Sequence, residues 1–458
     1  MITRLSGVLD GFFLAKRGLG RVSIINLLLS SSFGINALFY AAWLGYVIGA
    51  WALLIQAAWS VSFLLLIPHS KKFRGINSLH DFLGQRYGNA TRVVASICSL
   101  IGIVYLVGWE VGIGKSAIKS LAVMPNGLLH NNSGFLAEIV IAVIVAITLI
   151  YTIIGGLRSN VKVDTFLNLV KVVLVSGMVG LLIINLNHLG SEKLASALFP
   201  SFGIMQGKLG LWGLATNILF NLSWQFVDNS SWISIIAGTG TNEEGETHRN
   251  LLYSSVVIFA TIGVLGTILG ATVSILPNIN PENILTQAVM TLPLSELFLS
   301  VGMVVLIAAC IMSLVDGMLI TCSLTLIADV LPSWQRVSRL SSGTSLMLAK
   351  AAMLIVAVLS VWGIGFVIKL SGTSLFDFVY IVVISQLALI GPVVGGMLTK
   401  SNSKHMWLAI FVGLAVGFGS TTYGVMTDRS FLIDGAGTFT ILASLIAAGF
   451  IATSRFDR

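Results

Sequence analysis

Charge is what this sequence has least of. Charged residues make up 10% of its 458 positions and hydrophobic ones 56%, whereas an ordinary soluble domain is about 25% charged. A chain so poor in charge cannot cover a water-facing surface, so lipid must be the solvent for much of it. Cysteine is scarce too. Cys98, Cys310 and Cys322 all lie in apolar runs, without metal-ligand spacing or a disulfide framework. The histidines at 69, 80, 130, 188, 248 and 405 are dispersed, and none pairs at the spacing of a helical metal site. No glycine-rich loop ends in Lys-Ser or Lys-Thr, so an ATP-driven pump is not indicated. No nucleophile–base constellation stands out, which argues against an enzyme. Residues 1–20 lack the apolar core and cleavage site of a signal peptide. The net charge of +8 falls in short loops, which points to membrane orientation and away from nucleic acid.

Long apolar runs are what the sequence does have. A membrane helix needs roughly 20 apolar residues, and about twelve stretches qualify. They are 22–47, 49–68, 92–118, 134–154, 162–187, 209–238, 250–277, 298–330, 342–370, 375–398, 405–425 and 435–453. Several are longer than the bilayer is thick, which predicts tilt or breaks. Basic residues cluster before the first stretch (Lys16, Arg17, Arg21), after the second (Lys71, Lys72, Arg74, Arg86, Arg92) and after the fourth (Arg158, Lys162). They recur after the sixth (His248, Arg249), eighth (Arg336, Arg339) and tenth (Lys400, Lys404) and at the end (Arg455, Arg458). All lie on one side if the helix count is even. The reading is a multi-pass plasma (inner) membrane protein with both termini cytoplasmic. Pro277, Pro281 and Pro293 around 282–290 predict a short outer helix.

Two stretches are too polar in the middle. The first carries Ser30, Ser31, Ser32, Gly34 and Asn36; the sixth carries Ser223, Trp224, Gln225, Asp228, Asn229, Ser230 and Ser231. They lie five spans apart, and paired interruptions in corresponding halves point to a transporter site. An unwound turn must bury its free N–H and C=O groups against protein or a wet cavity. Freed carbonyls suit Na⁺ and half-helix N-termini suit anionic groups. Serines that merely let helices pack closely are the plainer explanation for either segment alone.

Several ordered stretches resemble the sodium:solute symporter family. Phe12-Phe13-Leu14-Ala15-Lys16-Arg17-Gly18-Leu19-Gly20 is similar to the segment before its first core helix. Leu79-His80-Asp81-Phe82-Leu83-Gly84-Gln85-Arg86-Tyr87 is similar to its cytoplasmic loop motif. Tyr151-Thr152-Ile153-Ile154-Gly155-Gly156-Leu157 with Asp164 resembles a third motif. Ala308 to Asp329, with Ser313, Asp316 and Ser323 in register, resembles a fourth, and Gly391-Pro392 fits the tenth core helix. The resemblance implies an all-α membrane fold of the leucine-transporter type: ten core helices related five to five, with the first and sixth broken, plus two C-terminal helices. It divides the chain into a cytoplasmic segment 1–21, a first repeat 22–187, a second repeat 209–398 and an accessory region 405–458. The extra helix that family members carry before the core is expected to be absent or truncated. It implies Na⁺-driven symport of a small organic solute by alternating access, with the oligomeric state open. A transporter-like sensor is the alternative outside transport, and no kinase domain follows residue 458 to support it.

The resemblance also places an ion. Its ligands fall on the carbonyls of Ser30, Phe33 and Cys310 and the hydroxyl of Ser313. Asp164 matches a carboxylate near the ion exit, and Asp316 is a candidate for a nearby second ion. Leu314 departs from the family's serine or threonine and offers no hydroxyl to a hard cation. Lys171 lies seven residues after Asp164, hence on the same helix face two turns deeper. A lysine within a bundle is a functional hypothesis by default, and here it is a coupling candidate: its ammonium replacing Na⁺ predicts a Na⁺-independent or H⁺-coupled transporter. Glu110, between Gly108 and Gly112, is the other deep charge. It is expected to bind substrate, relay protons or pair with Lys171. The substrate candidates are Asn36, Glu110, Trp224, Asp228, Asn229, Ser385 and Gln386. The sixth span lacks the family's arginine, so substrate identity does not carry over.

Overall fold

The computed structural model describes residues 5–121, 133–186, 191–240, 244–276, 284–333, 341–363, 366, 378–399 and 402–453. These are helical or in turns, with no strand among them. The helices are α1 (Gly7–Leu14), α2 (Arg21–Ser32), α3 (Ile35–Ile48), α4 (Ala52–Leu66), α5 (Leu79–Tyr87), α6 (Asn89–Ser120), α7 (Ser133–Gly155), α8 (Leu157–Leu186), α9 (Ser191–Leu198), α10 (Phe202–Lys208) and α11 (Gly210–Val227). They continue with α12 (Asn229–Ile236), α13 (Glu244–Ile258), α14 (Leu265–Val273), α15 (Ile284–Met290), α16 (Glu296–Leu324), α17 (Ser342–Val358), α18 (Phe378–Leu387), α19 (Ile390–Leu398), α20 (Trp407–Thr427), α21 (Ser430–Asp434) and α22 (Ala436–Thr453). Large apolar side chains such as Ile154, Phe166 and Ile184 lie exposed on their outer faces, as lipid-facing helices require.

Both predicted interruptions are present. The first span stops at Ser32 and resumes at Ile35, leaving Phe33 and Gly34 outside helix. The sixth is α11 and α12, separated at Asp228. Ten described helical stretches are long and apolar enough to cross a membrane. The difference from twelve has a physical origin. α3 and α4 run into one continuous stretch, Ile35–Phe73, and the split sixth span is not among the ten. The tenth span is also interrupted by a turn at Ala388 and Leu389, between α18 and α19. There the Ser444 hydroxyl donates to Ala388 O at 2.7 Å and accepts from Gly391 N at 3.1 Å, so the freed backbone groups are satisfied. The short helix predicted around 282–290 is α15. The far part of the ninth span, the start of the tenth, and Arg336, Arg339, Lys400, Arg455 and Arg458 lie outside the described residues.

Small residues set the closest helix contact. α3 and α14 pack with almost no separation: a Cβ on Gly270 would meet Ala42 O at 1.7 Å, and one on Gly45 would meet Thr267 O at 2.2 Å. Without a hydrophobic force between helices in lipid, such approach is what holds them. Gly270→Val is therefore expected to abolish recovery of monodisperse protein in detergent, and wild-type yield and melting temperature would refute this packing. Gly156 has φ of +58°, and its Cα faces Phe12 O, with 2.4 Å left for a Cβ. That turn seats the N-terminal segment against the junction of α7 and α8.

Candidate functional site

The break in the first span exposes two backbone N–H groups at the start of α3. Glu110 of α6 takes both: Ile35 N donates to its Oε1 at 2.6 Å and Asn36 N to its Oε2 at 3.0 Å. A carboxylate at a half-helix N-terminus is favoured by the dipole and by the unpaired donors together. The sixth span repeats the device locally. Asp228 accepts from Ser230 N and Ser231 N at 3.1 Å each and from both serine hydroxyls. Both half-helices that restart after a break are thus capped by carboxylates of this chain. Glu110 and Asp228 were expected at the substrate. The structure turns both onto backbone instead.

Lys171 of α8 reaches the same break. Its Nζ donates to Phe33 O at 3.0 Å and to Ser313 Oγ at 2.7 Å, and lies 4.9 Å from the centre of the Phe33 ring. Ser313 Oγ in turn donates to Cys310 O at 3.2 Å. Two of the four predicted ion ligands, Phe33 O and Ser313 Oγ, are therefore bonded to an ammonium, and a third, Cys310 O, is bonded to Ser313. The Ser30 hydroxyl bonds Asn168 at 3.2 Å. Leu314 fills the neighbouring space, its Cδ1 only 2.5 Å from where a Gly34 Cβ would sit. Lys171, Glu110, Asp164 and Asp316 are each at most 1% exposed and interact through their charges. Tyr151 donates to Asp316 Oδ2 at 2.8 Å, while Oδ1 of Asp316 and Oδ1 of Asp164 have no hydrogen-bond partner among the described residues.

A cavity of about 810 Å³ begins at Ser32 and Asn36, passes Trp224, and reaches Lys208 and Asp434, both exposed. Of the predicted substrate residues it is lined by Asn36 and Trp224, and not by Glu110, Asp228, Asn229, Ser385 or Gln386. Gln386 instead bonds Ser99 of α6. Asn229 accepts from Leu79 N at 2.9 Å and donates to Thr325 Oγ1 at 3.1 Å, which places it in the closed end.

That end is held by buried polar groups. Arg92 donates to Asp329 at 2.7 and 2.9 Å and to Ala328 O at 2.6 Å. Ser78 Oγ donates to Asp329 at 2.8 Å, and His80 lies 3.3 Å from it. A π-helical turn over Thr325–Val330 carries Asp329. Burial raises Asp81 above the ordinary carboxylate range, Arg92 opposes that, and Asp329 adds to it. Arg17 adds bonds to Ile76 O and Asn77 at 2.6 and 2.8 Å, from a segment with positive φ at Ala15, Lys16 and Arg17. Arg92 was counted as a loop charge by sequence. The structure buries it to 8% exposure. One end of the molecule is therefore open to the cavity and the other shut.

A model of the sodium:solute symporter family matches residues 12–201, under half of the chain. The chain resembles the sodium:solute symporters. The uncharacterized symporter YidK of Escherichia coli (strain K12) is 29% identical over 170 residues, which span 35% of this chain and 28% of that protein. Among solved structures, a Na⁺-coupled sialic acid symporter in a substrate-bound outward-open state superposes with a TM-score of 0.74 at 15% identity, over 97% of this chain and 92% of its own. MHP1, a nucleobase-cation-symport-1 family transporter in a closed conformation with bromovinylhydantoin bound, gives 0.59 at 14% identity over 95% and 92%. MhsT in complex with L-phenylalanine gives 0.55 at 16% identity over 95% and 99%. The fold is the leucine-transporter fold.

Proposed function

We propose that this chain is a secondary active transporter that carries a small organic solute together with a cation by alternating access, with both termini cytoplasmic. One observation carries the reading: a buried ammonium, Lys171, bonds Phe33 O and Ser313 Oγ at a helix break, with three buried carboxylates, Glu110, Asp164 and Asp316, near enough to act on it through their charges. Such a cluster has more acidic groups than basic ones. Each uncompensated ion costs several kcal/mol, so the cluster is built to take a cation or protons. Two carboxylate oxygens without partners, Oδ1 of Asp164 and Oδ1 of Asp316, are where it is held. The cavity supplies access from one side, and the Arg92–Asp329 closure makes the opposite side the one that must open next. On this reading residues 22–187 and 209–398 are the two repeats that rock against each other.

Na⁺ is the coupling ion that the family resemblance suggests. The position of Lys171 favours a second reading. Its ammonium already bonds Phe33 O and Ser313 Oγ, and Leu314 offers no oxygen, so the charge at this position is the protein's own and coupling is Na⁺-independent or H⁺-linked. Melting curves of purified protein in NaCl, KCl and choline chloride at equal ionic strength separate the two. Na⁺ coupling predicts a saturable, Na⁺-specific stabilisation of ~2.7 kcal/mol at 100-fold over Kd, reduced in Ser313→Ala. Equal melting in all three salts, with a stability that responds to pH, sinks Na⁺ coupling and leaves the Lys171 reading standing.

A further inference from the structure

The closed end holds a histidine whose bonds a neutral ring cannot all make. His80 of α5 is wholly buried. Its Nδ1 lies 3.3 Å from Asp329 Oδ2, and its Nε2 lies 2.8 Å from Ser99 Oγ of α6. Ser99 Oγ is 3.4 Å from Gln386 Oε1 of α18, and Gln386 Nε2 donates back to Ser99 O at 3.3 Å. One row of side chains thus joins the Arg92–Asp329 pair to the tenth span. A Cβ on Gly102 would meet Gln386 Nε2 at 2.4 Å, so Gln386 sits in a notch that only a glycine leaves open.

Protons along this row can be counted. Ser99 has one hydroxyl proton to give. A ring protonated at Nδ1 alone donates to Asp329 but takes the Ser99 proton at Nε2, and Gln386 Oε1 loses its donor. A ring protonated at Nε2 alone leaves Ser99 free to donate to Gln386, but turns a lone pair towards the Asp329 carboxylate. Turning the Gln386 amide over does not help, since Oε1 would then face Ser99 O. The imidazolium makes every bond: Nδ1–H to Asp329, Nε2–H to Ser99 Oγ, and Ser99 O–H to Gln386. Charge gives the same answer independently. Asp81 accepts from Asn77 N, Asn77 Nδ2 and Gln85 Nε2 at 3.0, 3.1 and 3.3 Å, bonds that suit its ionised form. Asp81 and Asp329 share one guanidinium, Arg92, at 3.6 and 2.7 Å. Two buried carboxylates need two cations, and His80 is the second. Of the other elements packed closely on α5, α12 and α19 carry no titratable side chain. Arg86 and Tyr87 of α5 itself are turned to Thr399 O and Gly395.

We propose that His80 is a positioning residue that keeps the closed end shut while its imidazole carries a proton, taken up as that end closes and given back as it opens. This deepens the alternating-access reading above and rests on it. In the shut state the proton bridges the ring to Asp329. When the end opens, water replaces the ring at Asp329 and the proton loses its partner. The shut state therefore binds more protons, is favoured as pH falls, and loses ground as pH rises. One proton is worth up to ~10-fold in that equilibrium per pH unit.

The test uses the full-length purified chain carrying Ala328→Cys, a buried position beside Asp329, and a membrane-impermeant methanethiosulfonate. Labelling rates are measured between about pH 5 and 8, where an imidazole changes charge. Each rate is divided by the reagent's rate with glutathione at the same pH, which removes the titration of the thiol itself. The protein without Ala328→Cys gives the background from Cys98, Cys310 and Cys322. The corrected rate is expected to rise with pH, by up to ~10-fold per unit. His80→Gln keeps an amide donor for Asp329 but takes no proton. Its rate is expected to be flat with pH and at least ~10-fold above the parent at the acid end. Asp329→Asn, which removes the carboxylate that calls for the proton, is expected to be flat as well. Melting temperatures check that both variants fold. A parent rate that is flat, or that falls as pH rises, overturns the inference. So does a slope kept in His80→Gln or, should that variant not fold, in Asp329→Asn. Labelling needs no transport, so its failure leaves the coupled-transport reading standing. Conversely, melting of His80→Gln that responds neither to Na⁺ nor to pH would sink that reading and leave the proton on His80 in place.

Discussion

Lys171→Met is expected to cost about 3–5 kcal/mol of stability and to create a Na⁺ response stronger than that of the wild type. The variant keeps most of the side-chain volume and removes only the charge, so packing around Phe33 is preserved. What is lost is the ammonium between Phe33 O and Ser313 Oγ, and with it the countercharge for Glu110, Asp164 and Asp316. Breaking one partner of a buried charge cluster leaves uncompensated ions, and that, rather than the lost bonds, is the main expense. The emptied position is lined by oxygen, which a hard cation accepts. Differential scanning fluorimetry in NaCl against KCl reads both effects. Adding Asp316→Asn to the variant should recover part of the lost stability, because it removes a charge that no longer has a countercharge. If Lys171→Met melts like wild type and ignores Na⁺, the ammonium does not hold the cluster together and the Lys171 reading fails.

The breaks were legible because they are local. Serines, a glycine and an asparagine inside an otherwise apolar run cannot continue a lipid-facing helix without a reason, and α2 does end at Ser32 and α3 does begin at Ile35. The Asp164–Lys171 face was legible from its seven-residue spacing alone. Asn168 sits on that same face, bonds Ser30 and Asn26, and was passed over because a neutral amide carries no charge signal. The cavity was not legible. Trp43, Trp59, Trp109 and Trp212 come from α3, α4, α6 and α11, and no spacing on one helix foretells their convergence. The carboxylates were found, and their caps on the half-helices came from the structure alone. Sequence shows that Glu110 and Asp228 are deep, but whether such a group meets a solute or caps a half-helix depends on where the broken strand of backbone points. The same limit applied to Arg92, whose partner Asp329 lies 237 residues away.

That pair supplies the second large effect. Arg92→Ala is expected to open the closed end. Asp329 would keep Ser78 Oγ and His80 but lose its guanidinium, and an orphaned buried carboxylate costs about 3–5 kcal/mol. The cost falls only on the shut conformation, since opening returns Asp329 to water. Moving a two-state equilibrium from 1:99 to 99:1 takes about 5.5 kcal/mol, so this one substitution is large enough to change which state dominates. Ala328, at 5% exposure beside the pair, is the reporter: Ala328→Cys should label slowly with a membrane-impermeant maleimide in the parent. With Arg92→Ala, labelling is expected at least ~10-fold faster, the rate change for each 1.4 kcal/mol of shift. Asp329→Asn added to Arg92→Ala should slow labelling again, because the neutral amide has no charge to hydrate and so no reason to drive the opening. Labelling that is equally slow in all three proteins would mean that the end is shut by packing alone, and that the ion pair is not its latch.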